Sequence, residues 1–277
     1  MSGSTRHFAC NTYSYTVTHD ALRCLTHLAH LGFSEIELMM YPGHLWPPDA
    51  DAASRRELRR TIEALGLRLI SLNMPNIDMN IAGASPQMRR YTLDLLQGII
   101  ALAGDLGVPG IVIGPGKANP LMAAPRERLL GYLFEALDEL APLAASAGTA
   151  LWVENIPFAM LPALDEIVAA LDRYGRDDIG IVYDVANGHF IGEDLATALR
   201  RCGNRLRLVH LSDTSRQLYR HDPIGHGTVP FETIPAMLAA VGYTRRSVLE
   251  IISADADRDI ADGAERLAAS GFAIHGQ

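Results

Sequence analysis

Leu206-Arg207-Leu208-Val209-His210-Leu211-Ser212-Asp213 is the stretch on which the reading of this chain turns. An apolar run from Leu206 to Val209 ends on a histidine, and an aspartate comes three residues later. A buried parallel strand reads as a short, nearly continuous apolar run, and its last residues turn polar where it opens on a pocket. Three other runs end the same way, each on a carboxylate. They are Ala150-Leu151-Trp152-Val153-Glu154, Ile179-Gly180-Ile181-Val182-Tyr183-Asp184 and Ser247-Val248-Leu249-Glu250.

Working outward, four earlier runs precede these: His7–Asn11, Ser34–Met40, Arg68–Asn73 and Gly110–Ile113. Between the runs lie helical patterns. The first is capped by Thr18 or Asp20 and runs to Leu31, and the second covers Ala52–Leu65. Ser85-Pro86 opens the third, with proline in the first turn where its missing N–H costs nothing. Arg126–Ala147 carries Leu129, Leu130, Leu133, Phe134, Leu137 and Leu140 on one stripe. Leu164–Tyr174, Asp194–Cys202, Phe231–Val241 and Asp255–Ser270 complete the set. The prolines of Tyr41–Pro48 make that stretch a loop. Eight strands alternating with eight helices predict parallel strands, and in 277 residues they predict an α/β fold: a single closed (β/α)8 TIM barrel. No linker or low-complexity run interrupts the pattern, so residues 1–277 read as one domain.

The bulk composition narrows the class. Apolar residues at 48% and charged residues at 20% are those of an ordinary globular protein. A net charge of −8 argues against a nucleic-acid partner, because phosphate binding draws on basic surface. Cys10, Cys24 and Cys202 are scattered, which fits a reducing compartment without a disulfide framework. No apolar run is long enough to span a bilayer, and no apolar leader opens the sequence. These features lead to an expectation of a cytoplasmic protein with no membrane partner.

In a barrel of this kind the active site is built at the carboxyl ends of the strands. Here those ends are Glu154, Asp184, His210 and Glu250, from four consecutive strands. Any one of the carboxylates alone reads more readily as a helix cap or a surface ion pair than as a ligand. Together, three carboxylates would repel one another, and a divalent cation is the simplest remedy. Three oxygen ligands and one imidazole suit Mn²⁺, Mg²⁺ or Co²⁺, with Zn²⁺ and Fe²⁺ also admitted. Tyr13, His44, Trp46, Asn73 and Asn76 lie at or just past strands one to three. They are candidates for the wall and polar contacts that select substrate, Trp46 and Asn73 foremost, with packing as the alternative for Trp46. Lys117, near the end of strand four, reads either as an anion contact or as a solvated lysine. Ser253-Ala254-Asp255-Ala256-Asp257 is acidic and offers no phosphate cradle.

An ordered set of fragments carries a family resemblance. They are Trp152-Val153-Glu154-Asn155, Tyr183-Asp184-Val185-Ala186-Asn187-Gly188-His189, His210-Leu211-Ser212-Asp213, Ile224-Gly225-His226-Gly227-Thr228-Val229-Pro230-Phe231 and Val248-Leu249-Glu250-Ile251. The second half of the chain resembles the xylose-isomerase-like barrel superfamily, especially its sugar phosphate isomerase/epimerase branch. That branch includes ketose 3-epimerases, hydroxypyruvate isomerases and inosose dehydratases. The first half matches only in strand rhythm.

The resemblance implies one divalent metal on Glu154, Asp184, His210 and Glu250. It also implies that Glu154 and Glu250 are the catalytic pair, one removing a proton from the substrate carbon and the other returning it. Arg216, six residues after His210, falls where the epimerase pattern has an arginine on substrate oxygens. His189 is a looser match, because the pattern has its histidine three residues after the aspartate, where this chain has Asn187. The activity implied is isomerisation or epimerisation of a small ketose, polyol-derived ketone or keto acid through an enediolate. A lyase, dehydratase or decarboxylase, on the same site is the alternative. The partner implied is a small carbohydrate or keto acid, and the assembly a homodimer or homotetramer.

Endonuclease IV, a more distant member, holds three zinc ions. Its extra ligands are missing at Gly114, Asn187 and Tyr219, and only His221 survives. A phosphodiesterase is therefore disfavoured, as is a barrel that only binds. The roles of His221 and His226 stay open, and Asp213 is expected to orient His210 or a neighbouring helix.

Overall fold

The computed structural model describes residues 5, 7–76 and 78–272. Eight parallel strands close into a barrel in sequence order, each paired with its neighbours in the chain and β1 paired with β8. The strands are β1 (Ala9–Asn11), β2 (Glu35–Met39), β3 (Arg68–Asn73), β4 (Gly110–Ile113), β5 (Ala150–Glu154), β6 (Gly180–Asp184), β7 (Leu206–Leu211) and β8 (Val248–Leu249). The predicted single (β/α)8 barrel is the observed fold.

The helices outside are α1 (Ala21–His30), α2 (Ala52–Ala64), α3 (Pro86–Leu106), α4 (Arg126–Ser146), α5 (Leu164–Tyr174), α6 (Val185–Ile191), α7 (Leu195–Cys202), α8 (Ile234–Ala240) and α9 (Ala256–Ala269). Their starts are set by short polar side chains. Asp20, Asp51 and Asp194 each accept the N–H three residues on, and Ser85 accepts that of Gln87 before Pro86. Of the two caps expected for α1, Asp20 is the one used.

Strict alternation fails at one place. Among the described residues there are nine α-helices, because α6 starts directly at the end of β6. Val185–Ile191 has no amphipathic stripe, so its sequence does not announce a helix. It forms because Asp184 accepts the Asn187 N–H and caps it. The expected helix over Phe231–Val241 divides into a 3₁₀ turn, Phe231–Thr233, and α8. β8 is only two residues long, although the Glu250 N–H still bonds the Leu211 carbonyl beyond it.

Two apolar layers hold the barrel. The larger lies between strands and helices and takes in the α4 stripe, with Leu130, Leu133, Leu137 and Leu140 buried. The smaller fills the barrel itself: Ala9, Ile70, Val112, Trp152, Val182, Leu208 and Val248. Trp152 is the plug, and β4 and β6 make room for it with Gly110 and Gly180, where an added Cβ would collide with its ring.

Side chains on a strand return to the same face every second residue. Two residues beyond the plug layer, the inward positions are Asn11 on β1, Glu154 on β5, Asp184 on β6, His210 on β7 and Glu250 after β8. On β3 the pairing with β2 slips so that Ile70 is an extra residue. A bulge of this kind shifts the phase of the residues after it, and Ser71 and Asn73 both reach the side chain of Glu37 on β2.

Candidate active site

Glu154, Asp184, His210 and Glu250 meet at the open end of the barrel. Each offers one ligand atom, and the four atoms lie within 4.8 Å of one another, all buried. Strand register produces this, since Asp184 lies beside His210, and His210 beside Val248 two residues before Glu250. The His210 Nδ1 is 3.0 Å from Glu250 Oε2 and 3.3 Å from Glu154 Oε1. Its Nε2 is 3.2 Å from Glu37 Oε1, within ion-pairing range but off the line of a hydrogen bond.

Backbone clamps fix the cluster. Asn155 accepts the Asp184 N–H and donates to the Asp184 carbonyl, at 2.7 and 3.0 Å. Asn187 donates to the Asn155 carbonyl at 2.8 Å. The ends of β5 and β6 are thereby tied through two amide side chains.

The electrostatics are those of crowded, buried charge. Burial pushes the Glu154 carboxyl up against the pull of its hydrogen bond with His210, and the charge of Glu250 adds to the push. Burial likewise holds Asp184 above the ordinary carboxylate range, against the attraction of His221. Burial alone would lower His210, but the charges of Glu37 and Glu250 outweigh it and hold the ring well above an ordinary imidazole. Burial would also raise Glu37, yet His210 beside it, with Ser71 and Asn11, brings it below the usual value.

The donor set fits a divalent cation. Asp184 Oδ2 and Asn187 Oδ1 are buried without a hydrogen-bond partner, which costs free energy unless another group satisfies them. Three carboxylates and an imidazole around one point supply what such an ion requires.

Around the cluster lies a cavity of about 850 Å³. Glu154, Glu250, Asn73, Tyr13, Tyr219 and His221 are among its lining residues. The chain after β7 leaves and returns through an antiparallel bridge between Asp213 and Asp222. That return brings Tyr219 and His221 to the cavity. The His221 ring takes Ser212 Oγ at 3.0 Å and Tyr219 Oη at 2.9 Å, and its Nδ1 is 3.6 Å from Glu250 Oε2. Asp213 makes no bond to His210 and caps no helix. Its carboxylate accepts the N–H groups of Thr214, Gly225 and Val229, so it shapes the loop instead.

Of the expected substrate contacts, Tyr13, Asn73 and Asn76 line this cavity, with Asn73 also donating to Glu37 at 3.2 Å. Three others lie elsewhere. His189 is buried and turned to Thr228, at 2.9 Å. Arg216 is exposed in the outer part of the excursion. Trp46 lines a neighbouring cavity. Each expectation rests on an offset from a strand end, and a loop of this length does not preserve offsets. Lys117 lines the cavity and donates to the Asn76 carbonyl at 2.8 Å. His44 is buried between the His19 carbonyl and Thr12.

One residue at the site is missing from the candidates read in the sequence. Glu37 is fully buried and accepts from Asn11 at 2.6 Å and Ser71 at 2.6 Å. Its signal is a charge in the middle of Ile36-Glu37-Leu38-Met39, a run that is otherwise apolar.

A closed parallel barrel whose mouth gathers three carboxylates and a histidine defines a scaffold with a candidate metal centre. The chain belongs to the xylose isomerase-like TIM barrel family, whose model matches residues 25–270. An uncharacterized protein of Methanocaldococcus jannaschii is 25% identical over 182 residues, 63% of this chain and 61% of its own, so the chain spans under two thirds of that relative. The fructoselysine 3-epimerase of Shigella flexneri is 21% identical over 230 residues, covering 81% of this chain and 83% of that protein. The crystal structure of a D-tagatose 3-epimerase-like protein superposes with a TM-score of 0.81 at 19% identity, covering 95% of this chain and 96% of the other. Among the described residues no helix is long and apolar enough to cross a membrane.

Proposed function

We propose that the protein is a divalent-metal-dependent isomerase or epimerase acting on a small ketose, polyol-derived ketone or keto acid. The observation that carries this reading is the Glu154–Glu250 pair, two carboxylates on one cavity beside a buried cluster suited to a cation. The relative from Shigella flexneri, named for a 3-epimerisation, supports the same class.

Glu154, Asp184, His210 and Glu250 would hold the ion, with Mn²⁺, Mg²⁺ or Co²⁺ matching the oxygen-rich set. When bound, such an ion supplies Lewis acidity toward a substrate carbonyl. The protein's own groups do the rest. One carboxylate of the pair takes the proton from the carbon beside the carbonyl, and the other returns one. Glu250 is held for this by Asn11 Nδ2 at 3.2 Å and by His210. Tyr13, Tyr41, Phe158 and Ile252 form the apolar wall of the cavity. Asn73, Asn76, Asn187, Lys117 and Arg220 are among the polar side chains that line the same cavity and face a substrate's hydroxyls.

The test is exchange in deuterated water. Metal-loaded protein incubated with a panel of ketoses is expected to place solvent deuterium at the carbon beside the carbonyl. Glu154→Gln and Glu250→Gln are expected to lower that rate by roughly 10²–10⁴, with metal content measured alongside. If both variants kept metal, ligand and full turnover, the catalytic assignment would be wrong.

A further inference from the structure

The cavity around Glu154 and Glu250 continues on the β2–β4 side. Tyr41, Pro75, Asp78 and Lys117 line it, and the same four residues line a second cavity of about 840 Å³. Ligand pockets commonly run about 300–1,000 Å³. The inner cavity, at about 850 Å³, already has room for a ketose, so the outer one is space beyond that need.

The outer lining combines flat rings, Trp46, Tyr91 and Tyr132, with the exposed amide of Gln87, while Asn80 and Thr92 on the same wall are bonded to the backbone of Ala82, Lys117 and Met88. Tyr132 has one ring face covered by the Arg89 guanidinium, 3.7 Å from its centroid. Tyr91, in the second turn of α3, is 62% exposed and adds little to the core. Asp78 and Lys117 stand at the neck with opposite charges, and the exposed Arg128 on the outer wall adds guanidinium donors for ring hydroxyls. Aromatic faces take the C–H faces of sugar rings, and amides take hydroxyls in two directions.

We propose that the outer cavity is a subsite for a second sugar ring, so that the substrate is a ketose carrying a glycosyl unit. This rests on the isomerase or epimerase reading of the inner site. It gives Trp46 a role the inner cavity does not, as part of the wall of the distal subsite.

Calorimetric titration of the Mn²⁺-loaded protein with fructose, isomaltulose and lactulose tests the proposal. The last two are fructose glycosylated at different carbons away from C3. At least one disaccharide is expected to bind about tenfold tighter than fructose. Tyr91→Ala, which removes an exposed ring, and Ala84→Trp, which fills the groove, are expected to erase that gain and leave fructose binding unchanged. Both positions are exposed, so the variants should fold, and light scattering reports whether either alters assembly. Equal affinity for fructose and both disaccharides, no binding of any sugar, or a change of oligomeric state with no loss of disaccharide binding, overturns the subsite. Disaccharide binding that depends on Tyr91, without deuterium exchange in any sugar, sinks the inner-site chemistry and leaves the subsite standing. Exchange in fructose with no preference for a disaccharide does the reverse.

Discussion

Glu37→Gln separates the support of the metal cluster from the cluster itself. Glu37 Oε1 accepts from Asn11 at 2.6 Å and Asn73 at 3.2 Å, and Oε2 from Ser71 at 2.6 Å. A glutamine of the same shape keeps one oxygen for the two amides and turns its NH₂ to Ser71, whose hydroxyl can accept as well as donate. The hydrogen bonds survive and the negative charge beside His210 is lost. A histidine that ligates a metal is normally held by a carboxylate or carbonyl on its other nitrogen, and loss of that partner costs about 10–100-fold in metal affinity. In free energy that is about 1.4–2.8 kcal/mol. Titration of the chelated protein with Mn²⁺, followed calorimetrically, should show the dissociation constant rising by that factor. Glu37→Ala is different, because it leaves three buried donors without an acceptor at about 1–3 kcal/mol each. It should therefore unfold in less denaturant even without metal. Mn²⁺ affinity in Glu37→Gln within twofold of the native protein would refute the reasoning.

Three further outcomes are expected from the same structure. His210, Glu154 and Asp184 all hold protons more tightly in the folded, metal-free chain than free in water. The folded state then binds more protons than the unfolded one, so stability falls as pH rises through the raised values. For His210 the loss begins above about pH 6.5, where the unfolded imidazole is already neutral. The chelated protein should melt at progressively lower temperature above that pH, and the gap to the metal-loaded protein should widen, as read by calorimetry. Gly110→Ala puts a methyl into the Trp152 ring and should cost about 1–3 kcal/mol in urea unfolding, with the fold retained. Asn155→Ala removes both bonds to the Asp184 backbone and should cost about 1–3 kcal/mol and weaken Mn²⁺ binding, whereas a loss of stability alone would show that the clamp does not orient Asp184.

The carboxylate and histidine cluster is legible because each residue closes an apolar run, and strand register carries such ends to one height in the barrel. The same logic fails for Arg216 and His189. Past a strand end the chain is guided by local bonds such as those of Asp213, which no periodicity announces. α6 is illegible for a related reason, since its nucleation depends on Asp184 acting as cap while its other oxygen faces the cluster. Glu37 could have been found. A carboxylate in a strand that is apolar on both sides must be paired, and only the barrel interior offers partners.

Glu37 also bears on why β5–β8 carry the candidate ligands while β1–β3 do not. The four candidate ligands bring three carboxylates and one imidazole to a single point. An imidazole surrounded by carboxylates has no reason to prefer one tautomer, and its Nδ1 already faces Glu154 and Glu250. A fixed negative charge on the Nε2 side, 3.2 Å away, breaks that ambiguity. It has to be buried, charged and itself fully bonded, or it would protonate or swing away. Asn11 on β1 and Ser71 and Asn73 on β3 supply those bonds from either side of β2. Asn11 also donates to Glu250, so one side chain links the supporting half of the barrel to the ligating half. The bulge at Ile70 is what allows β3 to present two polar residues, Ser71 and Asn73, to Glu37 after an apolar plug. The first half of the chain, which the family model also matches from residue 25 onward, therefore contributes the charge that sets the histidine.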